Sequence, residues 1–426
     1  MGPRYLTKSR FQLALQCPAK LYYDGKPEYA NQKLEDEFLA SLAEGGFQIG
    51  ALARCYFPEG ILIDNKDPEE ALKQTAELLK RENVSIFEAA FRSGDLFIRA
   101  DILVKRGNHI ELIEVKAKSY DPGSDCFLTR SGCISAGWSE YLYDVAFQKH
   151  VIKSVYPGFK VSAHLMMADK SAKCPTDGLN QKFRIVRDEE GRKKVAISAG
   201  LTKEDLDPPI LTKVCVDDCC ALIFEGGFET DSKTMSFSGF VDMLADRYVR
   251  DEKITCAPST ACGSCEFKAT EEDLKIGLKS GFHECWKESL GWDEADFAEP
   301  TVLEIWNCRK KRDFLQEGRI KMSELDEEDI SPRGDNKPGI SASERQWLQI
   351  EKNRNHDKTY WIDKENLGKD INSWIYPLHF IDFETSMAAI PFNKGRHPYE
   401  GIAFQFSHHV VHQDGRIEHK GEYLNT

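Results

Sequence analysis

Hydrophobic and polar positions change their period along the first part of the chain. The early segments have apolar residues at the spacing of one helix face, and the later ones are short apolar or alternating runs bordered by turn residues, as in strands. The predicted elements are, in order, helices at 9–23, 34–56 and 71–80, strands at 86–91, 96–104 and 110–115, a helix at 138–155 and a strand at 160–167. The β-β-β-α-β order over residues 84–167 predicts a mixed α/β core.

The rest of the chain carries weaker patterns. Within the poorly patterned segment 170–250, a strand is predicted at 214–224 and a helix at 237–248. The charge-rich residues 268–330 favour helices, and the Pro- and Gly-rich SPRGDNKPG at 331–339 is typical of a linker.

Strand signals return after this linker. Residues 377–385 predict a strand, and residues 402–417 predict a hairpin that turns at Gln413-Asp414-Gly415. The predicted division of the chain is a first domain over 1–290 with an insertion at 170–250, a helical connector and linker over 291–340, and the start of a second α/β domain over 341–426.

Composition narrows the functional classes. A chain of 426 residues is long enough for two to three domains, and it has neither a membrane-length apolar run nor a signal-peptide pattern, which predicts a cytoplasmic protein without a membrane partner. Its 13 cysteines, an odd number, favour metal-binding thiolates over a disulfide framework. The net charge of −13 excludes bulk electrostatic coating of nucleic acid, so any such contact is expected to be local.

The first candidate chemistry is a carboxylate–lysine group on two predicted strands. Asp101 lies on one strand, and Glu114 and Lys116 lie two positions apart on its hairpin partner, so that they share a face. Two carboxylates and the Val115 main-chain carbonyl would supply the hard oxygen ligands that Mg²⁺ or Mn²⁺ prefers. Lys116 would then orient or activate the attacking water of a phosphodiester hydrolysis.

These residues resemble the RecB-like branch of the PD-(D/E)XK nucleases, in which Glu-x-Lys is followed by a helix that carries a Gln. Gln148, in YLYDVAFQ, matches that Gln, and the resemblance implies that it positions the substrate or the catalytic lysine. Glu88, in IFEAAF, resembles a further acid near the metal, and a solvent-facing strand residue is the equal alternative. Many members have a helical His upstream, whereas this chain has none before His109, which leaves the remaining metal ligand open. The implied fold is a restriction-endonuclease-like core, a mixed central sheet flanked by helices with helical additions.

Cysteines form the second candidate site. Cys262 and Cys265 form a C-x-x-C pair, and Cys285 follows. Cys17 resembles the first cluster ligand of the iron–sulfur RecB-like nucleases, which include CRISPR-associated exonucleases and the AddB nuclease domain. The resemblance implies a [4Fe–4S] cluster on these four cysteines that staples the two ends of the domain, with Cys256 as an alternative ligand. Zinc on the same thiolates is the main rival, because spacing alone does not separate the two.

A third candidate lies near the end of the chain. Asp382 and Glu384 share one face of the apolar strand HFIDFET, the opening arrangement of RNase H-like DEDD exonucleases. With the AAIPF and PYEGIAFQFSHH stretches, this region resembles an uncharacterised bacterial family in which a RecB-like region precedes an exonuclease-like domain. A DEDD site needs two further acids from later elements, and the chain ends at Thr426. We therefore expect a truncated RNase H-like domain and no exonuclease activity from these two acids.

Together these patterns predict a Mg²⁺- or Mn²⁺-dependent deoxyribonuclease that acts on single-stranded DNA or duplex ends, with RNA open as a substrate. Two alternatives stay open at this point. One is a nucleic-acid-binding module that no longer cuts, which the acidic net charge and the missing upstream His favour. The other is a redox or metal sensor centred on the cysteines.

Overall fold

Three consecutive antiparallel strands form the middle of the fold. The computed structural model describes residues 3–34, 36–188, 191, 193–229 and 234–425. The elements up to residue 249 are α1 (Lys8–Gln16), α2 (Lys20–Tyr23), α3 (Glu37–Cys55), β1 (Ile61–Leu62), α4 (Pro68–Leu78), β2 (Asn83–Ser93), β3 (Leu96–Arg106), β4 (His109–Tyr120), α5 (Ala136–Val155), β5 (Lys160–Asp169), β6 (Phe183–Arg187), β7 (Lys193–Ile197), β8 (Leu211–Cys215), α6 (Asp217–Glu225), β9 (Gly227–Glu229), β10 (Thr234–Ser236) and α7 (Phe237–Val249).

Two tight turns connect these central strands. Gly94 lies between β2 and β3 with φ +56°, and Gly107 lies between β3 and β4 with φ +53°. Each is the first central residue of a two-residue loop, where a type II′ hairpin turn requires a positive φ. The turns fix the register, because Ser93 pairs with Leu96 and Arg106 pairs with His109. The predicted hairpin of the strand with Asp101 and the strand with Glu114 and Lys116 is therefore confirmed.

Among the described residues, six strands form the main sheet in the order β1-β2-β3-β4-β5-β8. The β1–β2 and β4–β5 pairs are parallel, and the β2–β3, β3–β4 and β5–β8 pairs are antiparallel. Helix α5 makes the crossover that a parallel β4–β5 pair needs. The mixed α/β class and the β-β-β-α-β order predicted for this region are confirmed.

Helices cover both faces of the sheet. Along β4, Leu112 belongs to a core cluster with α5 and α7, whereas the adjacent Ile113 belongs to a second cluster with α3. This alternation follows from the period of two along a strand. Glu114 therefore has the orientation of Leu112 and faces α5.

The first helix is shorter than the sequence pattern predicts. Instead of one helix over 9–23, α1 ends at Gln16 and α2 begins at Lys20. Cys17, which caps α1, has an extended backbone with φ −165° and ψ 117°. Pro18 explains the break, because proline disfavours a helical conformation in the preceding residue and lacks a backbone N–H.

The prediction of one strand over 214–224 is wrong. Strand β8 ends at Cys215, and residues from Asp217 onward form α6. Asp217 and Asp218 lie in the first turn of that helix, where acidic side chains are favoured by the helix dipole. Cys219, Cys220 and Ile223 are its buried residues. A short apolar run has no period that separates a buried helix from a strand. The helix predicted at 237–248 is confirmed as α7.

The chain divides into two units, each assembled from three segments. The first comprises Met1–Asp24, Glu35–Ile254 and Thr385–Ile402, and the second comprises Gly25–Leu34, Thr255–Glu384 and Ala403–Thr426. The later elements are α8 (Glu271–Lys275), α9 (Gly281–Leu290), α10 (Lys311–Gln316), α11 (Glu327–Ile330), α12 (Ala342–Arg354), α13 (Lys364–Ser373), β11 (Leu378–Ser386), β12 (Ile402–Val411) and β13 (Ile417–Leu424).

Short helical turns dominate the second unit, and its strands form the sheet β11-β12-β13. The predicted strand at 377–385 and the hairpin around Gly415 are confirmed, because β11 covers that segment and Val411 pairs with Ile417. Residues 331–339 have no helix or strand. No helix within the described ranges is long and apolar enough to cross a membrane.

Candidate carboxylate site and cysteine group

Asp101 and Glu114 meet where β3 and β4 lie side by side. Ile102 pairs with Ile113, so Asp101 and Glu114 are the next residues along the two strands. The Val115 backbone N–H donates to Asp101 Oδ2 at 2.9 Å. The main chain of β4 therefore fixes one oxygen of Asp101 beside Glu114.

Helix α5 supplies two polar side chains to this pair. Gln148 Nε2 donates to Glu114 Oε2 at 2.8 Å and to Asp144 Oδ1 at 3.0 Å. Lys116 Nζ lies 2.7 Å from Glu114 Oε1 and 2.6 Å from Asp144 Oδ2. The structure thus brings the sequence-predicted Asp101, Glu114, Lys116 and Gln148 into one group.

Lys8, the first residue of α1, reaches the same carboxylates. Its Nζ lies 3.1 Å from Asp101 Oδ1, and 3.0 and 3.2 Å from the two oxygens of Glu114. Thr7 caps α1 with its side chain, and Phe11 stacks on Phe147 of α5 at 4.7 Å between ring centroids. This packing holds the start of α1 over the carboxylate pair.

Glu88 lies across from Asp101 with an unusual backbone. Phe87 pairs with Ile102 and Ala89 pairs with Ala100, so Glu88 is opposite Asp101 in the β2–β3 register. Its φ is +57°, which is rare for a residue with a side chain and costs free energy. The side chain is half-buried, and both its role near the metal and the alternative of a solvent-facing strand residue stay predictions.

The acids of this group titrate far apart. Burial raises the pKa of Asp101 to about 7, and the neighbouring Glu114 adds to this rise. Burial also acts to raise the pKa of Glu114, but the ammonium groups of Lys8 and Lys116 outweigh it and hold that pKa well below its usual range. Burial raises the pKa of Glu88, against the attraction of Lys8. Buried carboxylates this close ionise together only when cations compensate them.

Lys116 is held in its charged form. Burial acts to lower the pKa of Lys116, but the attraction of Glu114 and Asp144 outweighs burial and keeps the pKa well above its ordinary value. A protonated ammonium donates hydrogen bonds and has no lone pair to accept a proton. Lys116 therefore suits an orienting or charge-stabilising role better than that of a general base.

The group opens to solvent on one side. Glu114 and Asp144 keep 1% and 5% of their side chains exposed, whereas Asp101 and Lys116 keep 25% and 23%. Tyr141 borders the opening, with its ring 5.9 Å from Lys116 Nζ and 5.1 Å from Lys118 Nζ. A small molecule or ion can therefore reach Asp101 from outside, while the floor of the site is closed.

The donor set fits a hard divalent cation. Asp101 and Glu114 offer carboxylate oxygens, the ligand type that Mg²⁺ and Mn²⁺ prefer. Gln148 Oε1 is buried and has no hydrogen-bond partner within the described part of the chain, which leaves an acceptor for a water or hydroxyl donor. No group of three or more His, Cys, Asp or Glu arranged to hold a metal occurs among the described residues. In the carboxylate group, the cation between the acids is the Lys8 ammonium.

The three later cysteines of the predicted cluster pack on one small core of the second unit. Cys262, Cys265 and Cys285 all contact the cluster that contains Phe282 and Trp286. The Trp286 indole Nε1 is buried without a hydrogen-bond partner among the residues that the structure describes. A buried N–H donor in the same small core as three cysteines fits thiolate or sulfide acceptors.

Cys256 and Cys17 are the other two cysteines of the prediction. The Cys256 carbonyl accepts a hydrogen bond from the Ser289 hydroxyl at 2.9 Å, which fixes it beside α9. Cys17 lies in the first unit, directly after α1, and is half-buried. Both stay predictions as ligands.

Asp382 and Glu384 are exposed on β11 and lie two residues apart on that strand. Their predicted role as the first acids of a DEDD site stays a prediction.

Sequence reasoning missed two members of the carboxylate group, Lys8 and Asp144. Asp144 carries a local signal, because it precedes Gln148 by four residues on α5 and such residues share a helix face. Lys8 carries none, since it is separated from Asp101 by 93 positions.

Comparison with known proteins gives one match. A family model described as a domain of unknown function (DUF2779) matches residues 379–426, which include most of β11 and all of β12 and β13. No curated protein matches the chain. No solved structure matches it either.

Proposed function

We propose that this protein is a metal-dependent nuclease of the RecB-like PD-(D/E)XK type that hydrolyses phosphodiester bonds of DNA. The observation that carries the proposal is the convergence of Asp101, Glu114, Lys116 and Gln148 at one solvent-accessible group on a β-β-β-α-β sheet. An ion pair on a strand surface would explain two of these residues, but four polar side chains from three elements are unusual without a chemical purpose.

Each residue has a distinct role in this proposal. Asp101 and Glu114 would hold Mg²⁺ or Mn²⁺, with the Val115 carbonyl and Glu88 as further ligands. The cation would reduce the charge on the phosphodiester and make a water a better nucleophile. Lys116, kept as an ammonium by Glu114 and Asp144, orients the water and stabilises charge on the phosphate.

Gln148 acts on the other members of the group. Its two N–H groups fix Glu114 and Asp144, and Asp144 in turn fixes Lys116. Gln148 is fully buried, so it acts by positioning and does not meet the substrate in this arrangement. Supporting residues of this kind keep reacting groups in a productive geometry.

An iron–sulfur cluster on Cys262, Cys265 and Cys285 is a second part of the proposal, with Cys17 as the fourth ligand and Cys256 as its alternative. The shared packing of the three cysteines and the buried Trp286 N–H support a sulfur-rich group at this position. Zinc fits the same thiolates, and its tetrahedral geometry also needs a fourth ligand. The segment 341–426 is proposed as the beginning of an RNase H-like domain.

Cleavage assays test the nuclease proposal. End-labelled and internally labelled single-stranded DNA, duplex DNA and RNA of one sequence are incubated with Mg²⁺, Mn²⁺ or EDTA. We expect metal-dependent cleavage of DNA that Lys116→Ala lowers by about 100-fold or more. Lys153→Ala is the matched control, because this exposed lysine of α5 donates its hydrogen bonds to the main-chain carbonyls of Pro157 and Phe159 and lies outside the carboxylate group. Equal cleavage by Lys116→Ala and the wild type would falsify the proposal.

A nucleic-acid-binding module without cleavage is the second candidate. The observation that favours it is the Lys8 ammonium between Asp101 and Glu114, which compensates part of the charge of the two acids without a metal. Retained DNA binding with no turnover under any divalent cation would favour this candidate over the first.

A further inference from the structure

We propose that Lys8 is the resident cation of the carboxylate site, and that a divalent ion binds Asp101 and Glu114 only after the Lys8 ammonium has moved away. This inference rests on the proposed metal-dependent function and adds a residue that sets the metal affinity of the site. Lys8 lies near the N-terminus and is not part of any sequence motif identified above.

Most of the carboxylate oxygens already have other partners. Asp101 Oδ2 accepts the Val115 N–H, Glu114 Oε1 lies 2.7 Å from Lys116 Nζ, and Glu114 Oε2 accepts a hydrogen bond from Gln148. The space that Asp101 Oδ1 shares with both Glu114 oxygens holds Lys8 Nζ at 3.0 to 3.2 Å. A metal that bridges the two carboxylates would have to lie where that ammonium lies.

Charge reinforces the competition. Among the five residues joined by ion pairs, Asp101, Glu114 and Asp144 contribute three negative charges when ionised, and Lys8 and Lys116 contribute two positive charges, so these five carry −1. Loss of the Lys8 charge leaves −2 in a largely buried setting. Attraction for a dication therefore rises, because charges interact more strongly there than in water.

Lys8 can leave without disturbing its helix. Its side chain is 29% exposed, and it stands at the first position of α1. The helix itself is anchored further along by Phe11, which stacks on Phe147 and meets Phe237 edge-on. Rotation about the four-carbon stem of lysine would carry the ammonium to solvent while the backbone of α1 stays packed.

Direct metal binding tests this role. Binding of Mn²⁺ to the full chain is measured by electron paramagnetic resonance and by calorimetry, without substrate. We expect Lys8→Met to bind Mn²⁺ at least about tenfold more tightly than the wild type, and Lys8→Arg to resemble the wild type. Lys153→Met changes the net charge equally and leaves the affinity unchanged. Adding Asp101→Asn to Lys8→Met removes the gain, which assigns it to this site.

The proposal is overturned if folded Lys8→Met binds Mn²⁺ no more tightly than the wild type, or if neither binds it. Circular dichroism and thermal melting establish folding. If Lys8→Met does not fold, Lys8→Gln provides the same readout, because it keeps a hydrogen-bond donor without the charge. Tighter binding without DNA cleavage would uphold the role of Lys8 and reject the nuclease. DNA cleavage together with unchanged Mn²⁺ affinity in Lys8→Met would uphold the nuclease and reject the role of Lys8.

Discussion

Gln148 is the residue on which the geometry of the carboxylate group depends. It is fully buried, and it donates to one oxygen of Glu114 and one oxygen of Asp144. Its hydrogen bond to Glu114 also helps to hold the pKa of Glu114 low, although Lys8 and Lys116 act more strongly against the effect of burial. The position therefore links the stability of the core to the chemistry of the site.

We expect Gln148→Met to lower the free energy of unfolding by about 2 kcal/mol, because two buried carboxylate oxygens lose a hydrogen-bond donor while the side-chain volume is nearly kept. Urea denaturation of the metal-free protein, followed by circular dichroism, measures the change. Gln181→Met, at an exposed position, controls for the substitution itself and is expected to be neutral. A Gln148→Met protein as stable as the wild type would contradict this account.

At the residue scale, the sequence was informative where chemistry follows from local spacing. Glu114 and Lys116 share a strand face, as the period of two predicts, whereas Gln148 on the next helix was predicted from the resemblance to the RecB-like nucleases. Lys8 could not be found in this way. Its contact with Asp101 depends on how α1 docks through Phe11, which is a property of the packed core and not of any local pattern.

At the element scale, strand β2 has a local backbone distortion at Glu88, next to the carboxylate site. Glu88 adopts φ +57° inside a strand, directly across from Asp101 in the register. Residues with a Cβ atom pay about 1 to 2 kcal/mol in this left-handed region, whereas glycine does not. Strained positions of this kind are often found at functional sites. Substitutions at Glu88 therefore test whether this part of β2 contributes to the carboxylate site.

We expect Glu88→Ala to be less stable than Glu88→Gly by about 1 kcal/mol, even though glycine normally weakens a strand. Both variants remove the carboxylate, so their difference isolates the backbone conformation. Thermal unfolding of the two proteins measures it, and both are expected to have weakened metal-dependent cleavage if Glu88 serves the metal. A Glu88→Ala protein that is more stable than Glu88→Gly would contradict backbone strain at this position.

Helices and strands were predictable where their hydrophobic pattern was strong or where glycines occupied the turns. The strands β2 to β5 and the helix α5 have strong patterns, and glycines mark the two hairpins. The prediction of one strand over residues 214–224 was wrong because this apolar run contains the end of a strand and a helix. Strand β8 ends at Cys215, and α6 begins at Asp217. The predicted first helix was too long because the helical spacing of apolar residues continues past Pro18. The effect of Pro18 on the preceding backbone outweighs that spacing and ends α1.

At the scale of the whole molecule, the carboxylate group and most of the predicted cysteine ligands belong to different units of the chain. The carboxylate group is built entirely from the first unit, whereas Cys262, Cys265 and Cys285 belong to the core of the second. That second unit consists mainly of short helical turns, and its apolar clusters are small. Regions with so little regular structure are often stabilised by a metal or cluster, since binding free energy then adds to folding.

Metal analysis of anaerobically purified protein tests this idea, and we expect iron and sulfide in a brown protein, with stoichiometric zinc as the alternative. Cys262→Ser or Cys285→Ser should remove the metal and lower the unfolding temperature, because the lost thiolate breaks the ligand set. Cys308→Ser is the matched control, since this half-buried cysteine packs on a different core cluster of the same unit. Wild-type protein with neither iron nor zinc, or variants that keep their full metal content, would contradict a cysteine metal site. Loss of metal from the cysteine variants with unchanged Mn²⁺ binding at Asp101 would make the cysteine site structural, because the two sites would then act independently.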